Sequence, residues 1–174
     1  MTEEGRLQTD LHRAQTADML APMVDPTSIR RALPSEREVL EALQRRASLA
    51  NPGDRDAILA HPDAIEIPLG QLESGQVYVP ERGNAIVGFA AILPRKDGDA
   101  ELNALFVEPS MWRQGIGQRL MNCCAVGARL QGSNGLRVIG NPHAREFYLA
   151  AGFKQLGVVA TRFGEGILYH MALD

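Results

Sequence analysis

Residues 112 to 120 read Trp112-Arg113-Gln114-Gly115-Ile116-Gly117-Gln118-Arg119-Leu120, between a short apolar strand pattern and a helical one. The first N–H groups of a helix have no partner inside it. The helix dipole adds about half a positive charge at the same end. Glycine at 115 and 117 lets a ligand approach the main chain with no β-carbon in the way. The stretch therefore reads as an anion cradle suited to phosphate or pyrophosphate. It is not a dinucleotide fingerprint, because Leu120 stands where a third glycine would be needed. No Gly-Lys-Ser/Thr follows, which excludes a P-loop.

Upstream of the cradle, Ala100 to Val107 reads as a strand. Alternation puts Glu101, Asn103 and Leu105 on one face and Leu102, Ala104 and Phe106 on an apolar one. Downstream, a helix runs to about Gln131, with Ile116, Leu120, Cys124 and Gly127 on one face and Cys123 and Leu130 beside them. Leu136 to Gly140 reads as a buried strand. Asn141-Pro142 then opens a helix, asparagine suiting the cap and proline the first helical position. Ala144, Phe147, Tyr148 and Ala151 share its apolar face until Gly152 stops it. Strands over Lys154 to Thr161 and Gly166 to Leu173 close the chain.

Nearer the N-terminus, a short strand from Ser28 to Ala32 precedes a helix capped by Ser35 with Glu38, its apolar face being Val39, Leu40 and Leu43. A second short helix carrying Ile58 and Leu59 follows Pro52-Gly53-Asp54. Gln76 to Glu81 and Ala85 to Leu93 form a hairpin through Arg82-Gly83-Asn84. A turn at Lys96-Asp97-Gly98-Asp99 leads into the strand before the cradle. Residues 1–26 are polar, end in Ala-Pro-Met-Val-Asp-Pro, and read as a separate extension, disordered or weakly helical. Residues 27–174 form one domain. Early hairpins and late strand–helix–strand crossovers make it α/β (α+β), a mixed sheet with helices packed on it.

The 174 residues suffice for one real core. A net charge of −3 and scattered arginine pairs argue against a nucleic-acid surface. The chain begins Met-Thr-Glu-Glu, without a leader pattern, and Ala85 to Leu93 is too short to span a bilayer. Cys123 and Cys124 are neighbours on a helix, which disfavours a disulfide and lacks metal-ligand spacing. The four histidines form no cluster, so no metal site is expected. Together these features suggest a cytoplasmic protein outside the membrane.

Three motifs stand in order: Ala100 to Pro109, the Gln-Gly-Ile-Gly turn with its helix, and Leu136 to Phe153. In that order, the chain over 27–174 resembles the GNAT superfamily of acyl-CoA-dependent N-acyltransferases. The resemblance implies a twisted, mostly antiparallel sheet of six to seven strands. This sheet would be splayed between its fourth and fifth strands, flanked by about four helices, with acetyl-CoA in the cleft. Trp112, Arg113, Gln114, Gly115, Ile116, Gly117 and Gln118 would hold the pyrophosphate. Leu105, Phe106 and Val107 would pair their main chain with the pantetheine arm, and Asn141 would contact it. The Leu105 N–H would face the oxyanion, Tyr148 would protonate the leaving thiolate, and Glu101 would be the base, with Glu108 a lesser substitute. The family usually has Gln or Arg where Trp112 stands, and here an arginine follows it.

An alkyl amine with pKa near 10.4 is neutral in about one molecule in a thousand at pH 7, a handicap of roughly 4–5 kcal/mol. A carboxylate beside the nucleophile addresses that cost. The expected activity is acetyl transfer to a primary amine of a small molecule or peptide, without a metal. A homodimer is common among similar proteins. The rival readings are a CoA-binding module without chemistry and an enzyme for a longer acyl group.

Overall fold

The computed structural model describes residues 27–174. The extension expected over 1–26 lies outside the described residues. One sheet organises the chain, built from β1 (Thr27–Arg31), β2 (Val77–Arg82), β3 (Ala85–Ile86), β4 (Gly88–Pro94), β5 (Ala100–Val107), β6 (Gly135–Gly140), β7 (Lys154–Thr161) and β8 (Gly164–Ala172). The strand order is β1-β2-β4-β5-β6-β8-β7, with two-residue β3 beside β2. Five α-helices accompany it: α1 (Arg37–Ala50), α2 (Arg55–Ala60), α3 (Leu69–Glu73), α4 (Ile116–Leu130) and α5 (Arg145–Ala150). The mixed, mostly antiparallel architecture is as expected. Both counts run higher because the expected Ala85 to Leu93 strand breaks at Val87, whose N–H turns back to the Pro80 carbonyl, and because five-residue α3 had no apolar period to announce it.

β5 and β6 are parallel and pair at Ala100–Leu136 and Glu101–Arg137. Beyond that pairing the two strands separate, which is the expected splay; it falls after the fifth strand here because β3 is counted. α4 provides the crossover between them, and parallel neighbours require such a connection.

Apolar residues cover both faces of the sheet. On one face Ile116, Leu120, Met121, Cys124 and Ala128 of α4 pack with Ala90, Ile92, Leu102 and Leu136. On the other, Leu40 and Leu43 of α1 meet Leu72, Val77, Val79 and Phe89. Each fully buried side chain of this size contributes roughly 1.5–3 kcal/mol. The expected apolar faces were one residue too wide: Val39, Leu59 and Leu130 are exposed. They sit at the flank or end of their helices, beyond the arc that meets the sheet.

Two further expectations are corrected. Ser35 does not cap α1 with Glu38. Pro34–Glu36 forms a 3-10 turn first, in which Glu36 Oε2 accepts the Leu33 N–H at 2.8 Å and the Glu36 N–H donates to the Leu33 carbonyl at 3.0 Å, so Glu36 closes the helix entry from the Leu33 main chain.

The strict alternation along β5 also fails. Ala91 faces Ala104 while Ile92 faces Leu102, leaving Asn103 as an extra residue in a bulge. Beyond the bulge the faces exchange: Leu105 and Val107 join the α4 side with Leu102, whereas Ala104 and Phe106 pack on the α1 side. Buried Gln71 of α3 holds the bulge, its Nε2 donating to Asn103 Oδ1 at 2.9 Å. No described helix is long and apolar enough to cross a membrane.

Candidate active site

A cavity of about 790 Å³ opens where β5 and β6 part. Its walls are β5 from Leu102 onward, the start of α4, the end of β6 with α5, and the α1–α2 loop. The expected residues 105–107, 112–113 and 115–118 line it, as do Asn141 and Tyr148. Gln114 does not; its Oε1 accepts from Arg82 Nη1 at 2.6 Å outside the cleft.

The α4 terminus is bare main chain. Gly115 sits at the cap with φ +79°, a left-handed geometry that glycine adopts without steric cost. No side chain caps this end and no acidic residue occupies its first turn. The helix ladder begins at Arg119 N–H, which donates to Gly115 O at 3.1 Å, so the N–H groups of Ile116, Gly117 and Gln118 have no intrahelical partner. Arg113, also left-handed at φ 62°, is exposed on the rim with no ion pair among the described residues. Trp112 does not take the place of a phosphate-binding side chain. Its indole Nε1 donates to the Val107 carbonyl at 2.8 Å and closes the end of β5.

That bond helps to orient the β5 edge. Glu108 N–H donates to Val87 O, next to β4, whereas the Val107 carbonyl faces the opposite way onto the indole. Main-chain groups alternate in direction along a strand. By that alternation Leu105 presents N–H and C=O to the open edge, into the cleft. Of the three residues expected to pair with a pantetheine arm, Val107 thus has its carbonyl already engaged.

Tyr148 on α5 is buried and lies against the rings of Phe147, Phe153 and Tyr169, at centroid distances of 5.2, 5.5 and 5.2 Å. Burial, then Tyr169, then Asp54 push its phenol well above the ordinary range, so it stays protonated.

Asn141 is not the helix cap expected of it, since its side chain makes no cap bond. Instead Nδ2 donates to Asp54 Oδ1 at 2.9 Å, tying the end of β6 to the α1–α2 loop. Its Oδ1 is buried without a partner.

The two expected carboxylates lie elsewhere. Glu101 is paired with Arg95 at 3.3 Å and lines a separate cavity of about 190 Å³ with Arg137, Ile139 and Leu168. Both Glu108 oxygens accept from Arg46, at 3.0 and 2.8 Å. The carboxylate that does line the main cleft is Asp54, which the sequence marks only as the end of the Pro52-Gly53-Asp54 stretch before a short helix. No local signal marks it, because its partner stands 87 positions away. Among the described residues no group of three or more His, Cys, Asp or Glu could hold a metal.

Residues 73–155, spanning β2 through α5, match the family model of the acetyltransferase (GNAT) domain. Over that stretch the chain is similar to the GNAT acetyltransferases. Solved structures share the fold across nearly all of the described region. Ard1 from Thermoplasma volcanium superposes with a TM-score of 0.66 at 18% identity, covering 86% of this chain and 99% of that one. PaiA N-acetyltransferase from Thermoplasma acidophilum, in complex with coenzyme A, gives 0.66 at 19%, over 84% and 98%. YncA from Salmonella typhimurium, with acetyl-CoA, gives 0.65 at 18%, over 85% and 94%. No curated protein sequence matches the chain.

Proposed function

We propose that this GNAT-like domain transfers an acetyl group from acetyl-CoA to a primary amine of a small molecule or peptide, by direct attack of the amine. One observation carries the reading. An open strand edge and an uncapped helix N-terminus line one cavity, so one ligand meets both a pairing edge and an anion cradle.

The residues present fit coenzyme A. The N–H groups of Ile116, Gly117 and Gln118 would take its diphosphate, with Arg113 adding charge from the rim. The Leu105 edge would pair with the pantetheine arm. The orphaned Asn141 Oδ1 is an acceptor that an amide N–H of that arm would satisfy. Neighbours solved with coenzyme A or acetyl-CoA support the same ligand. Bound there, it supplies an activated thioester.

This chain's residues then act on the charges that develop. The Leu105 N–H faces the growing oxyanion; a donor placed in advance is worth a few kcal/mol. Tyr148 holds its proton and donates a hydrogen bond to the departing thiolate. With an ordinary thiol near pKa 8.5 and a phenol at about 10 or above, full transfer is uphill by about 2 kcal/mol or more, so the stabilising hydrogen bond is the larger benefit. A carboxylate takes the amine proton. Family resemblance puts Glu101 forward for that role, and its pairing with Arg95 beside a different cavity weighs against it.

The test is thiol release over a panel of amines, with Tyr148→Phe alongside. Turnover falls about a hundredfold in the variant while acetyl-CoA affinity holds. The raised phenol pKa predicts no alkaline loss of activity from Tyr148 below about pH 10. Unchanged turnover in the variant would remove Tyr148 from the mechanism.

A further inference from the structure

We infer that Asp54 is the general base of the acyl transfer, its carboxylate held at the cleft wall by Asn141 to take the proton that the amine loses. The inference rests on the acyl-transfer reading above and names the residue that acts in it.

Asp54 stands on the α1–α2 loop, which shares the main cavity with the β5 edge and Tyr148. Its Oδ1 accepts from Asn141 Nδ2 at 2.9 Å, and its Oδ2 accepts from no described side chain. Gly53 makes the contact possible: a β-carbon there would lie 2.7 Å from Asn141 Cγ. The loop itself is fixed by Asn51 Oδ1, which accepts the Gly53 N–H at 2.9 Å. One oxygen is thus anchored and the other is available to a substrate.

Charge separates Asp54 from its rivals. Glu101 and Glu108 are held by arginines, whereas Asp54 has no ion pair among the described residues. Arg55, next in sequence, turns its guanidinium onto the Leu49 carbonyl at 3.0 Å. The groups that face Asp54 are Asn141 at the end of β6, His143 just beyond it and Tyr148 on α5. Burial raises its pKa above the ordinary aspartate value, opposed by the Asn141 bond and by His143. A half-buried carboxylate of raised proton affinity, with no cation locking it and one oxygen free, is suited to take a proton from an attacking amine.

The proton count closes. The nitrogen lone pair forms the C–N bond at the carbonyl carbon, and the carbonyl electron pair moves onto oxygen beside the Leu105 N–H. Nitrogen, made acidic by bonding, gives its proton to Asp54 Oδ2. The carbonyl re-forms as the C–S bond breaks, and the departing thiolate, hydrogen-bonded by the Tyr148 phenol, takes its proton from water. Solvent then takes the proton held by Asp54.

The experiment follows thiol release from acetyl-CoA with benzylamine, tyramine and spermidine between about pH 5 and 9, for wild type, Asp54→Asn, Asp54→Glu and Glu101→Gln. Asp54→Asn is expected to lower kcat/KM for the reacting amine about a hundredfold, to erase the acidic limb of kcat read at saturating amine, and to leave acetyl-CoA affinity within about threefold. Asp54→Glu keeps the limb and part of the rate, and Glu101→Gln keeps the limb. The inference is overturned if Asp54→Asn retains rate and limb, if Glu101→Gln erases the limb, or if Asp54→Asn loses acetyl-CoA affinity along with rate. Wild-type chain that binds acetyl-CoA and acylates none of the amines would instead overturn the acyl-transfer reading, and the inference with it.

Discussion

Arg113 occupies a left-handed backbone position, φ 62°, that costs a non-glycine residue of order 1 kcal/mol. It places an exposed charge beside the α4 terminus. Arg113→Gly separates the two effects. The substitution relieves the strain, so Tm stays within about 3 °C of wild type. It also removes the cation proposed to face the diphosphate, so acetyl-CoA Kd is expected to rise about fivefold to tenfold. Calorimetry and a melting curve on the same sample check both. At this scale the sequence was informative wherever residues act through a local motif. Gly115, Gly117, Tyr148 and the β5 edge all line the cleft they were expected to line. Asp54 and the true partner of Asn141 were invisible, because their hydrogen bond joins segments 87 positions apart.

At the scale of elements, the entry into α1 is held by charge as well as by main-chain bonds. Arg30 of β1 donates to Glu36 Oε1 at 2.7 Å and to Oε2 at 3.1 Å, and Glu36 accepts the Leu33 N–H as well. These bonds, chiefly the one from Arg30, hold the Glu36 carboxyl below its ordinary pKa of 4.5. A carboxylate that binds its proton more weakly when folded contributes stability above its unfolded pKa. That contribution disappears as pH falls through the lowered value. Glu36→Gln therefore costs about 1–2 kcal/mol at neutral pH, and the gap to wild type closes in acid. Urea unfolding at both ends of that range measures it.

The elements themselves were largely legible from apolar period and turn chemistry. The Gly83-Asn84 hairpin turn and the Gly152 stop fall where those signals put them. The bulge at Asn103 was not legible. It depends on Gln71 reaching over from another helix, and without it simple alternation assigns the Leu105 side chain to the wrong face.

For the whole molecule, two apolar layers grip one sheet, and the cleft exists because its central parallel pair stops after two residue pairs. The α1–α2 loop closes one side of that cleft and α4 offers its bare end on the other. Gly115→Val probes this arrangement with little steric interference, since nothing lies within 4 Å of a β-carbon there. What it changes is the backbone: a β-branched residue at φ +79° costs about 1–2 kcal/mol in the left-handed region and re-aims the N–H groups that follow. The direct measurement is a calorimetric titration of acetyl-CoA into wild-type chain and into Gly115→Val. One-to-one uptake by the wild type, weakened tenfold or more in a variant that still melts cooperatively, is the predicted result. No uptake by the wild type, or equal affinity in the variant, would contradict the main-chain cradle on which the function rests.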